Sequence, residues 1–486
     1  MIKRGVWRDH KRKDIPNGRQ CIKNKWVFKI KRSGVFRARL VACGYSQIPG
    51  VDFTESYAPV INDVTWRILL AAKLLWKLKA KIIDIETAFL YGDLDEEIYM
   101  ESPEGLDHGE EDCVKLEKSI YGLVQSARQY FTKFTKSLRK IGFTGGTADP
   151  CLMSRKDANG IVFIAIYVDD CLLIGDDKAI ESAINDIRKI GFVLKEESEL
   201  DDYLSCQIKF NTDETKATIS QPHLIKKMKN KFGKHVQELR EYTTPGSQGI
   251  TILRDPEATI SKELHALYRS GTGMLLYLVK HSRPDIANAV RQLSTALDKP
   301  NEAAFKEMKR IIKYVIDTKD LVLKFEPKFD EGEEWNIIAY SDSDFAGNIE
   351  DRRSIAGFVL YLNGAPISWK LKGIKLVSLS SSEAEYIALS EAAKEVKYVY
   401  QVLKSMGIEV KLPIVICVDN IGAIFMSKNV AVSPRTKHID VHYHFVCEFV
   451  QDGFIKVIFV KTTDNDADLF IRIYRGRYMK SIQPRC

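Results

Sequence analysis

The sequence predicts an α+β chain of two or three domains that ends in an α/β unit, and three observations carry that expectation. At 486 residues the chain is long for one hydrophobic core. From about Trp26 to Phe232, short apolar runs alternate with amphipathic stretches, the texture of an α+β domain. From Trp335 to about residue 472, strand-like runs alternate again with helical ones after a purely helical stretch.

Composition narrows the class. With 45% hydrophobic and 28% charged residues the chain reads as globular, not disordered. Its longest central apolar stretch, Ile161 to Val168, is far shorter than the roughly 20 residues of a spanning helix, so no membrane is expected. No charged-then-apolar leader opens the chain, which argues against secretion. Cys21, Cys43, Cys113, Cys151, Cys171, Cys206, Cys417, Cys447 and Cys486 include no Cys-x-x-Cys pair, so neither a zinc ribbon nor a disulfide framework is expected. A reducing, intracellular setting follows.

Taken in order, residues 1–20 read as a basic arm without a period. Residues 1–32 hold twelve Lys or Arg against Asp9 and Asp14, so the rest of a chain of net charge +8 is near neutral. Such an arm suits a phosphate backbone, although a solvated tail explains the charge equally well. Residues 21–239 form the first domain. Residues 240–332 begin with a linker, because Thr243, Thr244, Pro245, Gly246, Ser247 and Gly249 cluster as breakers. Helical spacing follows, with Leu275 and Leu278, then Ile286, Val290 and Leu293, then Ile311, Ile312 and Val315. Residues 333–472 form the last domain, and 473–486 a basic tail.

Two sets of carboxylates carry the chemistry. Ile82-Ile83-Asp84-Ile85 reads as a buried strand with one acid. Ile161–Val168, Asp169-Asp170 and Cys171–Gly175 read as a β-hairpin with two aspartates at its tip. Aspartate is a favoured turn residue, so the pair alone would be an ordinary turn. Acids held at a sheet are otherwise costly unless compensated, usually by a hard divalent cation. In the second set, Ile337–Asp342 is a strand ending in an acid. Ser380-Ser381-Ser382-Glu383-Ala384-Glu385 opens a capped helix, Ile414–Asp419 is another strand ending in an acid, and Asp466-Ala467-Asp468 lies near the end.

Tyr167-Val168-Asp169-Asp170 between two apolar strands is more specific than an acidic pair, and with it the chain resembles the Ty1/copia-type retrotransposon Pol family, in its reverse transcriptase and ribonuclease H segment. Trp26-Val27-Phe28-Lys29, Arg37-Ala38-Arg39-Leu40, Gly44-Tyr45-Ser46-Gln47, Tyr57-Ala58-Pro59-Val60 and Arg67 are similar to that family. So are Asp84-Ile85-Glu86-Thr87-Ala88-Phe89-Leu90, Lys118-Ser119-Ile120-Tyr121-Gly122-Leu123, Asp149-Pro150-Cys151-Leu152 and Arg283-Pro284-Asp285.

The resemblance implies a right-hand-like polymerase (fingers, palm, helical thumb/connector) followed by an α/β ribonuclease H-like domain. It implies RNA-directed DNA synthesis and cleavage of RNA in RNA–DNA hybrids, each at a site holding two Mg²⁺ ions, with Mn²⁺ as the alternative ion. Asp84, Asp169 and Asp170 would serve the first site, and Asp342, Glu385, Asp419 and Asp468 the second. Arg39 would meet the triphosphate and Phe89 the sugar. Gly122 would allow close approach of nucleotide or template, and the Ile85 carbonyl and Gln125 would complete the nucleotide contacts. The partners would be an RNA template, a DNA primer, their hybrid and dNTPs, in the cytoplasm within virus-like particles or in the nucleus.

Rivals lie close by. Asp344 shares a strand face with Asp342, and Glu383 points about 200° away from Glu385 around the helix. Glu383 suits the helix N-terminus instead. His438, His442 and His444, in Thr436–Phe445, have spacing that zinc could use, but no Cys or acid completes a set.

Several positions depart from the family pattern. Cys43 and Asn62 stand where a basic residue is usual, and Val124 and Ala127 replace a Lys and a Pro. Ser205 replaces a Gly, and the pattern is lost after Leu469. The expectation is a truncated copy, either still an active polymerase and nuclease or a catalytically weak relic that binds nucleic acid.

Overall fold

The computed structural model describes residues 1–30, 34–106, 112–197, 200, 202–247, 252, 259–329, 334–348, 350–428 and 440–471. It divides into two compact units: residues 1–62 with 79–199, and residues 63–78 with 200–486. The sequence boundary at 239/240 falls inside the second unit. The reason is pairing: Cys206–Phe210 and Ala217–Ser220 share a sheet with Leu323–Phe325, and helix Pro222–Val236 packs on helix Glu302–Asp317.

In the first unit a six-stranded sheet runs in the order Leu194–Glu197, Lys79–Ile85, Asp170–Gly175, Gly160–Tyr167, Leu152–Asp157, Thr144–Gly145. Its centre is dry, since Val162 to Ile166 and Leu173 are all 0% exposed. Apolar residues on successive positions suit a strand covered on both faces. The hairpin Asn24–Ile30/Phe36–Ala42 is a sheet of its own, and a four-stranded sheet joins Trp7–Lys11, Asp112–Lys118, Asp93–Glu101 and Cys21–Ile22.

That last sheet corrects the expected basic arm. Trp7–Lys11 pairs antiparallel with Asp112–Lys118, and Val6 is fully buried. The arm's cations are largely engaged within the protein. Arg8 pairs with Glu117 at 2.8 Å, Lys11 with Asp112 and Arg12 with Glu101 at 3.6 Å. Arg19 donates to the carbonyls of Glu97 (2.6 Å) and Val51 (3.2 Å), and Arg4 lies 4.9 Å over the Tyr91 ring. Lys3 and Lys13 are exposed. Replacing both by Gln is therefore expected to leave the salt dependence of nucleic-acid binding unchanged, as read by fluorescence anisotropy over a salt series. A flatter slope would restore the phosphate-binding arm. Deleting residues 1–20, in contrast, removes an edge strand and the core residue Val6.

In the second unit a five-stranded sheet runs Ala365–Gly373, Ile355–Leu362, Ile337–Asp344, Ile414–Val418, Ile455–Phe459. The first three strands are antiparallel, and the last two run parallel to the central one. The 25-residue helix Ser381–Ser405 packs across it. This is the expected ribonuclease H-like layer. Helix Asp63–Trp76 belongs to the same unit. Its Arg67, 2% exposed, donates to the carbonyls of Ile367 (3.1 Å) and Lys280 (2.6 Å) and stacks 4.1 Å over Trp369. Burial pushes its guanidinium down to about 10, with Asp63 opposing the shift.

The expected linker at 240–253 is strapped down in its described part. Ser247 donates its N–H (2.8 Å) and hydroxyl (3.2 Å) to the carboxylate of buried Glu307, and Arg310 donates to Thr244 Oγ1 and the Gly246 carbonyl. The basic tail 473–486 lies outside the described residues. No helix among the described residues is long and apolar enough to cross a membrane. None of the eight described cysteines forms a disulfide.

Candidate active sites

At the first site the sheet register does the assembling. Asp84 stands directly opposite Asp170, and the Ile85 N–H donates to the Asp169 carbonyl at 2.9 Å. Tyr167 pairs with Asp170, so Val168 and Asp169 form a two-residue turn. Such a turn needs positive φ at its first central position, and Val168 takes φ 54°. A β-branched residue is strained there by roughly 1–3 kcal/mol, so the flanking apolar strands must hold the turn. All three aspartates are half-buried. Their field reaches their neighbours. The Cys171 thiol is pushed up by burial and then by Asp170, Asp169 and Asp84, and the Tyr130 hydroxyl rises by burial with Cys171, Asp169 and Asp84 contributing. Negative charge gathered at one sheet end fits a divalent cation.

Beside the aspartates runs a row of rings. The Arg39 guanidinium sits 4.8 Å over Tyr121, whose ring is 4.9 Å from Phe89, which in turn lies 6.4 Å from Tyr130. Phe89 is half-buried, and Arg39 Nε is buried without a hydrogen-bond partner. Tyr121 carries the row but had no assigned role; its position just before Gly122 was the available signal.

Two expected nucleotide contacts have other employment. Gln125 is 1% exposed, its amide donates to the Asp52 carbonyl at 2.8 Å, and its oxygen accepts from Gln47 at 3.1 Å. Both ends of the side chain are engaged inside the protein. Gly122, at φ +95°, lies against the strand Phe36–Ala42: a Cβ there would meet the Ala42 carbonyl oxygen at 2.1 Å. Its missing side chain serves that internal crossing, where the Ala42 N–H donates to Tyr121.

At the second site Asp342, on the central strand, faces Gly357 across the sheet. Asp342, Glu385 and Asp419 each offer a carboxylate oxygen within 4.8 Å of the others, the one such group found among the described residues. Ser343 joins two of them: its N–H donates to Asp342 Oδ1 (2.7 Å) and Glu385 Oε1 (3.1 Å), and its hydroxyl to Glu385 Oε1 (2.9 Å). Sequence reading missed Ser343, although its place next to Asp342 was visible. Asp342 is pushed up to about 9 by burial first, then by Glu385, Asp419 and Asp468. Glu385 is pushed up to about 7, mainly by burial. Its Oε2 is buried with no hydrogen-bond partner. Crowded acids and an orphaned carboxylate oxygen fit a divalent cation.

The rivals resolve. Glu383 accepts from the Leu379 N–H (2.8 Å) and donates its own N–H to the Ser380 cap (3.2 Å), so it closes the helix N-terminus. Asp466 accepts from the Tyr361 hydroxyl at 2.8 Å. Asp468 opens the short helix Asp468–Ile471, and the preceding Asn465 anchors that turn on the Ser341 carbonyl at 3.0 Å. Asp344 contributes its charge to the half-buried Arg291. His438 and the side chain of His442 lie outside the described residues, and His444 is exposed.

A family model described as reverse transcriptase (RNA-dependent DNA polymerase) matches residues 8–245. The chain is 34% identical over 472 residues to the retrovirus-related Pol polyprotein from transposon TNT 1-94 of Nicotiana tabacum, covering 95% of this chain and 35% of that protein. It is 33% identical over 455 residues to the Pol polyprotein from transposon RE1 of Arabidopsis thaliana, covering 91% of this chain and 30% of that one. It thus spans about a third of these relatives. A foamy viral protease-reverse transcriptase, solved in complex with double-stranded DNA, aligns over 95% of this chain at 11% identity and TM-score 0.49, too slight a likeness to carry an inference.

Proposed function

Because the chain belongs to the Ty1/copia-type retrotransposon Pol family, we propose that it extends a DNA primer on an RNA template at Asp84, Asp169 and Asp170, and cleaves the RNA of the resulting hybrid at Asp342, Glu385, Asp419 and Asp468. The observation that carries the first activity is the Asp84–Asp170 register, which sets the aspartates at the end of a rigid sheet. Mg²⁺ held by each set would supply Lewis acidity and neutralise charge on the phosphoryl group. The residues do the placing. The Val168 turn fixes Asp169, and the Ser343 N–H and hydroxyl orient Asp342 and Glu385. Arg39, held against Tyr121, offers guanidinium N–H donors for a triphosphate.

Primer extension on an RNA template with dNTPs and Mg²⁺ tests the reading. Extension is expected; its absence in folded protein leaves the weaker alternative, a relic that binds nucleic acid. The assembly of both carboxylate sets favours retained chemistry.

Phe89 supplies a further test. Its ring is half-buried and braced by Tyr121, so it can meet a sugar from one side only. The 2′-hydroxyl is the group that separates the two substrate sugars. Phe89→Ala is expected to lower the ratio of kcat/KM for deoxy- over ribonucleotides by at least about tenfold, while a packing defect alone would lower both rates together. An unchanged ratio makes Phe89 a packing residue.

A further inference from the structure

His281 is the last residue of helix Lys262–His281, and its ring is 2% exposed with neither nitrogen hydrogen-bonded. A helix C-terminus ordinarily favours a cation, because its last carbonyls have no partner within the helix. Here those carbonyls are taken. The Val279 carbonyl accepts from the Trp369 indole N–H at 2.8 Å, and the Lys280 carbonyl from Arg67 at 2.6 Å. The Leu278 carbonyl accepts from the N–H groups of Ser282 (2.9 Å) and Arg283 (2.8 Å). One helical turn thus ties together helix Asp63–Trp76 and strand Ala365–Gly373, all within the second unit.

The groups around the ring decide whether it can hold a second proton. From helix Asp63–Trp76, Asp63 Oδ1 lies 3.6 Å from His281 Nδ1, while Asp63 Oδ2 is engaged by Lys280 at 2.8 Å. Arg67 brings a positive charge from the same helix. On His281's own helix stand Lys280 and Tyr277, whose ring meets the imidazole edge-on at 4.5 Å. Strand Ala365–Gly373 contributes the uncharged Trp369. Beyond Arg67 lie Asp202 and Cys206, and burial pushes the Cys206 thiol up to about 12, so it carries no charge. Burial holds the His281 imidazole down to about 4; Asp63 opposes that shift, and Arg67 and Lys280 add to it.

We propose that His281 and Asp63 form an acid-sensitive latch: protonation of the buried ring parts the C-terminal turn of helix Lys262–His281 from helix Asp63–Trp76. Opening gives the imidazolium water and distance from Arg67. The direction follows from linkage. A base lowered from 6.5 to about 4 in the closed turn stays neutral there and takes its proton in the open one. The closed turn is therefore fully favoured above about pH 6.5 and loses that advantage as pH falls toward 4. Between pH 8 and pH 5 the open fraction is expected to rise about thirtyfold. Helix Asp63–Trp76 runs on through Leu78 into the strand that carries Asp84, so the latch acts on the segment leading to the first site.

Amide hydrogen exchange of the full chain, corrected for the intrinsic rate at each pH, tests the latch. Peptides covering residues 62–70 and 276–286 are expected to lose protection about thirtyfold between pH 8 and pH 5, while strands Ile414–Val418 and Ile455–Phe459 of the same unit keep theirs. His281→Phe keeps a ring and removes the titration, so it is expected to abolish that loss. The same loss in His281→Phe overturns the latch. So does a flat profile in the parent chain, a measurement that needs no variant. Acid loss spread evenly over the second unit overturns it too, because the unit would then be unfolding as a whole. The readout needs neither nucleic acid nor activity, so its outcome is independent of the polymerase and nuclease readings.

Discussion

Asp169→Asn is expected to cut nucleotide addition by at least about 10³-fold, the several kcal/mol that a metal-holding carboxylate supports, while hybrid cleavage stays at the parent rate. Asp419→Asn is expected to do the reverse. The substitutions keep shape and remove one negative charge, so each acts on its own carboxylate set. Asp169 sits in the two-residue turn that meets Ile85, and only its carbonyl is engaged in that contact, so the backbone bond survives. Asp419 follows the strand Ile414–Val418 and offers a carboxylate oxygen within 4.8 Å of those of Asp342 and Glu385. Primer extension and hybrid cleavage would be run on one preparation, with circular dichroism as the check on folding. Loss of both activities from either change, in folded protein, would refute two separate sites.

How far these sites were legible depended on whether a residue's role follows from its own strand or from a distant partner. Asp84, Asp169 and Asp342 could be read because each breaks an apolar run, which marks a strand end from sequence alone. Helix geometry separated Glu383 from Glu385, the resemblance chose Glu385, and the Ser380 cap explains why the nearer acid is occupied. Gln125 could not be read, because its two partners, Gln47 and the Asp52 carbonyl, lie more than 70 residues away. The basic arm failed in the same way: Arg8, Lys11 and Arg12 look free in sequence, and their acids stand on strands reached only through the sheet. Likewise the breaker cluster at 243–247 announced a linker, while Glu307 and Arg310, which tie it down, sit on a helix some 60 residues on. Composition shows what a residue can bond, and topology decides what it does bond.

Asp342→Asn is expected to stabilise the metal-free protein at alkaline pH while cutting hybrid cleavage at least about 10³-fold. The sign follows from the crowding of acids. The folded Asp342 carboxyl is raised from 3.8 to about 9, by burial first and then by Glu385, Asp419 and Asp468. Glu385 is raised from 4.5 to about 7. An acid raised on folding keeps a proton that the unfolded chain releases. The stability linked to it is therefore fully present below the unfolded value and is lost as pH rises through the folded one. In EDTA the Tm is thus expected to fall between about pH 4 and pH 9. Mg²⁺ must displace those protons, so its stabilising effect should grow with pH. Asparagine removes one crowded charge and keeps an oxygen to accept from the Ser343 N–H. At pH 8 in EDTA the variant should gain on the order of a few kcal/mol, and Mg²⁺ should then raise its Tm less than the parent's. Calorimetry with and without Mg²⁺, at acid and alkaline pH, measures all of this. A metal-free Tm at pH 8 that falls on substitution would mean that Asp342 is held by partners which favour its charge, and the crowding account of this site would be wrong.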